Sequence, residues 1–200
     1  SGCNLWSGRE QDRANAACHF FDTDFVGTDG QHGGRFADAA TLATHLVNLW
    51  PHTDARIVPY VVFTGGEPLL QLDSALIEAM HHHGFEIGVE TNGSLPAPAG
   101  IDWLCVSPKG DVPLVQTVGD ELKLVYPQAR ALPERFEHLG FTHRLLQPMD
   151  QSTLGGDEHG DAEDDAAEHG RSPLAAATAY CLANPLWRLT LQTHKIAGID

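Results

Sequence analysis

The chain has 200 residues, of which 42% are hydrophobic, and this composition suits one globular domain with a buried core. Its 27 acidic and 12 basic residues give a formal net charge of -15, which would repel the phosphate backbone of a nucleic acid. Neither a membrane-spanning apolar run nor the pattern of an export signal is present, so we expect a cytoplasmic protein with no nucleic-acid or membrane partner.

The four cysteines are Cys3, Cys18, Cys105 and Cys181. Disulfides need an oxidising compartment, and without an export signal reduced thiols are expected. Cys105 lies in a strand-like run and Cys181 in an alanine-rich helical run, so both are interpreted as small core residues.

Helix-like and strand-like segments alternate along the chain. The helical segments are 39–50, 69–83, 129–139 and 173–183. The strand-like segments are 57–64, 86–91, 101–107, 121–126, 143–147 and 187–193. This alternation predicts an α/β fold, with a mostly parallel sheet covered by helices in a single domain, 1–200.

Polar motifs stand where the predicted strands end. They are Thr64-Gly65-Gly66-Glu67, Thr91-Asn92-Gly93, Ser107-Pro108-Lys109, Gln147-Pro148-Met149-Asp150 and Gln192-Thr193-His194-Lys195. Ligands of such folds collect at the carboxyl ends of the strands, so the five motifs predict one large site. The segment 152–171 is too charged to pack and is interpreted as a disordered acidic loop without chemistry.

Two cysteines near the start carry the most specific signal. Cys3 and Cys18 are separated by fourteen residues, and Cys18 is followed by His19, Phe20, Phe21, Asp22 and Thr23. With the strand-end motifs in the same order, the chain resembles the 7-carboxy-7-deazaguanine synthase family of radical S-adenosylmethionine proteins. It resembles the subset in which the first two of three cluster cysteines are widely spaced. This resemblance implies a partial (β/α) barrel.

Phe21 occupies the position of the family's third cysteine. Phenylalanine cannot bind iron, and His19 adjoins Cys18, so its side chain is expected to point elsewhere. With Cys3 and Cys18 as the remaining ligands, a 4Fe-4S cluster is expected to be weakly held or absent.

The resemblance also implies roles for other residues. The S-adenosylmethionine contacts are expected at Phe20, Phe21, Asp22, Gly66, Glu67, Glu90, Asn92, Ser107, Pro108, Lys109, Gln147, Pro148, Met149 and Asp150. Substrate contacts are expected at Thr64, His194 and Asp200. Thr23 is expected to bind Mg²⁺, although by itself Asp22-Thr23 is more typical of a turn or a helix N-cap.

The family converts 6-carboxy-5,6,7,8-tetrahydropterin to 7-carboxy-7-deazaguanine and ammonia, a step toward queuosine. The resemblance therefore implies a radical lyase, a homodimer and a flavodoxin-like or other reductant. It runs through the chain except for 152–171 and does not include the family's beginning, so we expect the first strand to be missing. One alternative is a non-catalytic relative that binds S-adenosylmethionine or a pterin. A metal hydrolase is disfavoured, because no metal-binding histidine spacing occurs outside 81–83.

Overall fold

The computed structural model describes residues 2–18, 25–52, 54, 56–150 and 172–198. Several predicted site residues lie outside the described residues, namely Phe20, Phe21, Asp22, Thr23 and Asp200. The predicted acidic loop, 152–171, also lies outside them, and the described residues resume at Ser172.

One parallel sheet organises the described part of the chain. Its six strands lie side by side in sequence order, and every neighbouring pair is parallel. They are β1 (Tyr60–Phe63), β2 (Glu86–Thr91), β3 (Trp103–Val106), β4 (Val118–Tyr126), β5 (Gly140–Pro148) and β6 (Arg188–Leu189). The predicted α/β class is confirmed, and the sheet is consistent with a partial (β/α) barrel.

The helices are α1 (Ala39–Leu49), α2 (Ser74–His82), α3 (Pro173–Ala183) and the short α4 (Thr193–Ala197). The first three begin at capping side chains, because Asp38, Asp73 and Ser172 each accept a hydrogen bond from a backbone N–H of the first turn. The predicted helix 69–83 is therefore shorter than expected. A 3-10 turn, Pro68–Leu70, precedes it, and Asp73 sets the start of α2.

The predicted helix at 129–139 is wrong. Only a 3-10 turn, Pro133–Arg135, forms there. Proline has no backbone N–H and disfavours helical geometry in the residue before it. Leu132 accordingly has extended backbone angles, φ -66° and ψ 141°, so no α-helix passes through this point.

The predicted strand ends also differ from the observed ones. β1 is shorter than 57–64, and the run 187–193 contains only the two residues of β6 before α4 begins at Thr193. In contrast, β4 and β5 each begin three residues earlier than predicted. Strand length here follows pairing, because β4 and β5 pair along almost their full length, whereas β1 and β6 are the edges of the sheet.

The hydrophobic core lies between the sheet and the helices that cover it. Leu122 and Leu124 of β4 and Leu146 of β5 are fully buried, and Met80 of α2 packs into the same cluster. Alternation along β4 sends these leucines to the helix side of the sheet and leaves the intervening residues on the opposite face. None of the helices among the described residues is both long and apolar enough to cross a membrane.

Shortening a core side chain should reduce stability. Leu124→Ala removes a side chain with 0% exposure, so we expect the free energy of unfolding to fall by about 3 kcal/mol. Leu182→Ala is the matched control, because Leu182 is 80% exposed on α3 and should change the value by less than about 0.5 kcal/mol. Urea titration measures both. Equal losses in the two variants would contradict the assignment of the core.

Candidate functional site

A cavity of about 520 Å³ opens at the carboxyl ends of the strands. All five strand-end motifs contribute to its wall, as expected for a parallel sheet. The predicted site residues that line it are Thr64, Gly66, Glu90, Asn92, Ser107, Lys109, Gln147, Met149, Asp150 and His194. The structure thus brings together residues that lie up to 130 positions apart in the sequence, from Thr64 to His194.

Three side chains of β4 also line the cavity and were not predicted. Glu121, Lys123 and Val125 alternate with the buried leucines, so they lie on the cavity side of the sheet. The sequence signal was the period of two in this strand, because leucines at even positions leave the odd positions for the other face. Gly65, Thr91, Gln192 and Lys195 of the predicted strand-end motifs line it as well, and Thr190 and Leu191 are the other lining residues that were not predicted.

Glu67 does not line the cavity but joins the loops that do. Its side chain is 2% exposed. Oε1 accepts hydrogen bonds from the Leu69 amide at 3.0 Å and from Thr91 Oγ1 at 2.7 Å, and Oε2 accepts from the Asn92 amide at 2.8 Å. A buried carboxylate needs such donors to offset the loss of its hydration. Glu67 therefore fastens the loop after β1 to the loop after β2, while its predicted contact with a cofactor stays a prediction.

The segment before Cys3 docks on the same loop through its backbone. The Glu67 amide donates to the Gly2 carbonyl oxygen at 2.8 Å. A Cβ atom at Gly66 would lie 2.3 Å from that oxygen, closer than real contacts permit. Gly66 is thus required for the approach of Gly2, as well as being a predicted cofactor contact.

A side-chain network continues this attachment to the loop after β2. Asn92 Nδ2 donates to Asn4 Oδ1 at 3.1 Å, and Asn4 Nδ2 donates to Ser94 Oγ at 2.7 Å. Asn92 Oδ1 accepts from the Ser94 amide at 2.9 Å and also from the Ser94 hydroxyl. Both polar atoms of the Asn92 side chain are therefore engaged within the protein, and they hold the residue that follows Cys3.

The three lysines of the chain, Lys109, Lys123 and Lys195, all line the cavity. None of the arginines among the described residues does. Lys123 Nζ lies 2.8 Å from Glu90 Oε1, and Lys195 Nζ lies 2.7 Å from Asp150 Oδ2. Two of the three ammonium groups are therefore paired with carboxylates on the cavity wall.

Lys109 differs from the other two lysines. Its Nζ donates to Ser107 Oγ at 2.8 Å, and no carboxylate of the described residues forms an ion pair with it. Burial lowers the pKa of Lys109, and the neighbouring Cys18 opposes that shift. An ammonium group in such a position favours an anionic ligand, because the ligand would replace the hydration that burial removes.

Cys105 lies beneath this wall and is 3% exposed, which confirms its predicted burial. Its thiol lies 3.5 Å from Glu121 Oε1, and Glu121 Oε2 accepts a hydrogen bond from Trp103 Nε1 at 3.2 Å. Burial is the main cause that raises the pKa of the Cys105 thiol, so this cysteine stays protonated. Cys181 is only half-buried, although it packs against the core.

The predicted cluster ligands lie beside the cavity. Cys18 is buried, Cys3 is half-buried, and neither lines the cavity wall. Pro108 and Pro148 also lie outside the lining residues. Within the part of the chain that the structure describes, no group of three or more histidine, cysteine or acidic side chains is arranged to hold a metal ion.

Removing the charge of Glu67 should loosen the cavity loops. In Glu67→Gln the amide NH₂ would face a backbone or hydroxyl donor, so we expect a loss of about 2 kcal/mol in the free energy of unfolding and faster hydrogen exchange at the Asn92 amide. Glu86→Gln, at an exposed position of β2, is the control and should have little effect. Unchanged exchange at Asn92 in Glu67→Gln would show that the carboxylate does not hold this loop.

Known proteins are similar to this chain over its whole length, although no protein-family model matches it. The chain is 58% identical to the 7-carboxy-7-deazaguanine synthase of Bordetella pertussis and 56% identical to that of Caulobacter vibrioides, in both cases over 100% of this chain and 86% of the relative. A more distant relative with the same name, from Bacteroides thetaiotaomicron, is 34% identical over 100% of this chain and 84% of its own length. The chain therefore belongs to the 7-carboxy-7-deazaguanine synthase family.

Proposed function

We propose that this chain acts in 7-deazapurine biosynthesis as a 7-carboxy-7-deazaguanine synthase, a lyase that acts on 6-carboxy-5,6,7,8-tetrahydropterin and releases ammonia. The observation that carries the proposal is the identity of 58% to a synthase across the whole chain. The cavity supports it, because the motifs that the family resemblance assigns to cofactor and substrate lie on one wall. S-adenosylmethionine would supply the radical chemistry of the family when bound.

The cavity fits S-adenosylmethionine by size and by charge. A volume of about 520 Å³ is within the range of small-molecule sites. The cofactor carries a carboxylate, an ammonium group and a sulfonium, and the wall offers both signs of charge. Glu90 and Asp150 would hold the cofactor with Ser107, Gln147 and the loop at Gly66. Lys109 would receive the carboxylate, because it is the cavity lysine without a carboxylate partner among the described residues.

The remaining predicted roles complete the proposal. Thr64 and His194 lie on the same cavity wall and would contact the pterin, together with the carboxylate of Asp200. Thr23 would bind Mg²⁺ beside the substrate. The loops after the strands would exclude water from the reacting atoms, which protects a reactive intermediate. We also propose a homodimer that works in the cytoplasm with a flavodoxin-like or other reductant, in keeping with four cysteines that form no disulfide.

The 4Fe-4S cluster fits this chain less well than S-adenosylmethionine does. The cluster of the family is held by three thiolates, and this chain offers Cys3 and Cys18 with Phe21 at the third position. Cys105 cannot replace the missing ligand without leaving its buried place on β3. This observation favours a second candidate, a non-catalytic relative that binds S-adenosylmethionine or a pterin without a stable cluster.

Restoring the third cysteine separates the two candidates. After anaerobic reconstitution with iron and sulfide, we expect the Phe21→Cys variant to bind about four iron atoms per chain and to release 5′-deoxyadenosine from S-adenosylmethionine. The unchanged protein should bind less iron. It should release 5′-deoxyadenosine more slowly than Phe21→Cys if it is a synthase, and release none if it is the non-catalytic relative. Leu182→Cys controls for an added thiol, because Leu182 is exposed on α3, and it should behave like the unchanged protein.

Two results would contradict this account. If the unchanged protein assembles a full cluster and cleaves the cofactor, Phe21 does not impair the site and the non-catalytic candidate falls. If Phe21→Cys assembles the cluster but cannot cleave the cofactor, the proposed synthase activity falls.

A further inference from the structure

Lys123 reaches across a neighbouring strand to a carboxylate on the cavity wall. Lys123 is on β4 and Glu90 is on β2, with β3 between them. Cys105 of β3 pairs with Glu90 on one side and with Glu121, two residues before Lys123, on the other. The lysine side chain therefore crosses β3 and places Nζ 2.8 Å from Glu90 Oε1.

The burial of this pair separates it from an ordinary surface salt bridge. The Lys123 side chain is 16% exposed, whereas that of Glu90 is 45% exposed. Burial by itself would lower the pKa of Lys123, but the neighbouring Cys105 and the carboxylates of Glu90 and Glu121 outweigh burial and raise it. Lys123 is therefore charged. Both side chains line the cavity, and the Glu90 carboxylate is the more exposed of the two.

Glu90 has one oxygen left for a ligand. Lys123 occupies Oε1, and Oε2 accepts no hydrogen bond from the residues that the structure describes. A carboxylate without a hydrogen-bond partner samples several rotamers and loses conformational entropy when a ligand binds. A carboxylate that is already fixed by a charged hydrogen bond loses less, so its contact with the ligand contributes more to affinity.

We propose that Lys123 is a positioning residue, which holds the Glu90 carboxylate oriented so that its second oxygen receives the S-adenosyl ligand. This inference rests on the proposed function, because it takes S-adenosylmethionine as the occupant of the cavity. The lysine acts through Glu90 and does not contact the ligand itself. In this respect it differs from Lys109, whose ammonium group is proposed to meet the ligand directly.

A double-mutant cycle tests whether Lys123 acts through Glu90. The variants are Lys123→Met, Glu90→Gln and both together, and the measurement is the dissociation constant of S-adenosylhomocysteine by calorimetry on cluster-free protein. This readout does not depend on catalysis or on the cluster. We expect each single variant to bind about tenfold more weakly, and the double variant to bind no more weakly than Glu90→Gln alone.

Two further variants separate positioning from folding and from overall charge. Lys123→Arg keeps the charge and should bind within about threefold of the unchanged protein. Arg56→Met removes a cation that is paired with Asp54 on an exposed segment away from the cavity, and it should leave binding unchanged. Thermal unfolding followed by circular dichroism shows whether each variant is folded at the temperature of the titration.

Each result other than the expected one has a definite meaning. If the effects of Lys123→Met and Glu90→Gln multiply, to about a hundredfold, Lys123 contacts the ligand independently and the positioning role is wrong. Unchanged binding in Lys123→Met also overturns it. If the unchanged protein does not bind S-adenosylhomocysteine, the proposed function is wrong, and so is this inference, which rests on it.

Discussion

The buried carboxylate of Glu67 is the interaction on which the site depends. The carboxylate accepts hydrogen bonds from the loops after β1 and β2. The backbone amide of Glu67 donates to the carbonyl oxygen of Gly2, beside Cys3. Three separate segments are thereby held at one edge of the sheet. Without this carboxylate, the Leu69 and Asn92 amides would lose their acceptor, which would reduce stability.

The sequence predicted where the site lies better than which residues line it. Strand-end motifs such as Thr64-Gly65-Gly66-Glu67 converge because carboxyl ends of parallel strands share one edge, and this follows from topology alone. Lys123 and Glu121 were missed because they lie inside a strand, where only the choice of face brings them to the cavity. The helix predicted at 129–139 does not form, because Pro133 interrupts it.

Two residues predicted to contact the cofactor, Gly66 and Asn92, also have partners within the protein. Gly66 was interpreted as a place where a ligand approaches the backbone, yet the nearest obstacle to a side chain there is the Gly2 carbonyl. Asn92 lines the cavity, but its side chain is engaged with Asn4 and Ser94. Neither fact can be derived from spacing, because Gly2 and Asn4 lie far from these residues in the sequence. Two predicted contacts thus have a second, structural role.

Family membership and the cavity agree with each other, while the cysteine motif departs from both. The wall carries all the lysines of the chain and pairs two of them with carboxylates, an arrangement suited to a zwitterionic ligand. Lysine-specific reductive methylation, read by mass spectrometry with and without S-adenosylhomocysteine, tests this claim most directly. We expect the ligand to slow modification of Lys109, Lys123 and Lys195 together. Equal modification of all three lysines with and without the ligand would contradict the assignment of this cavity as the cofactor site.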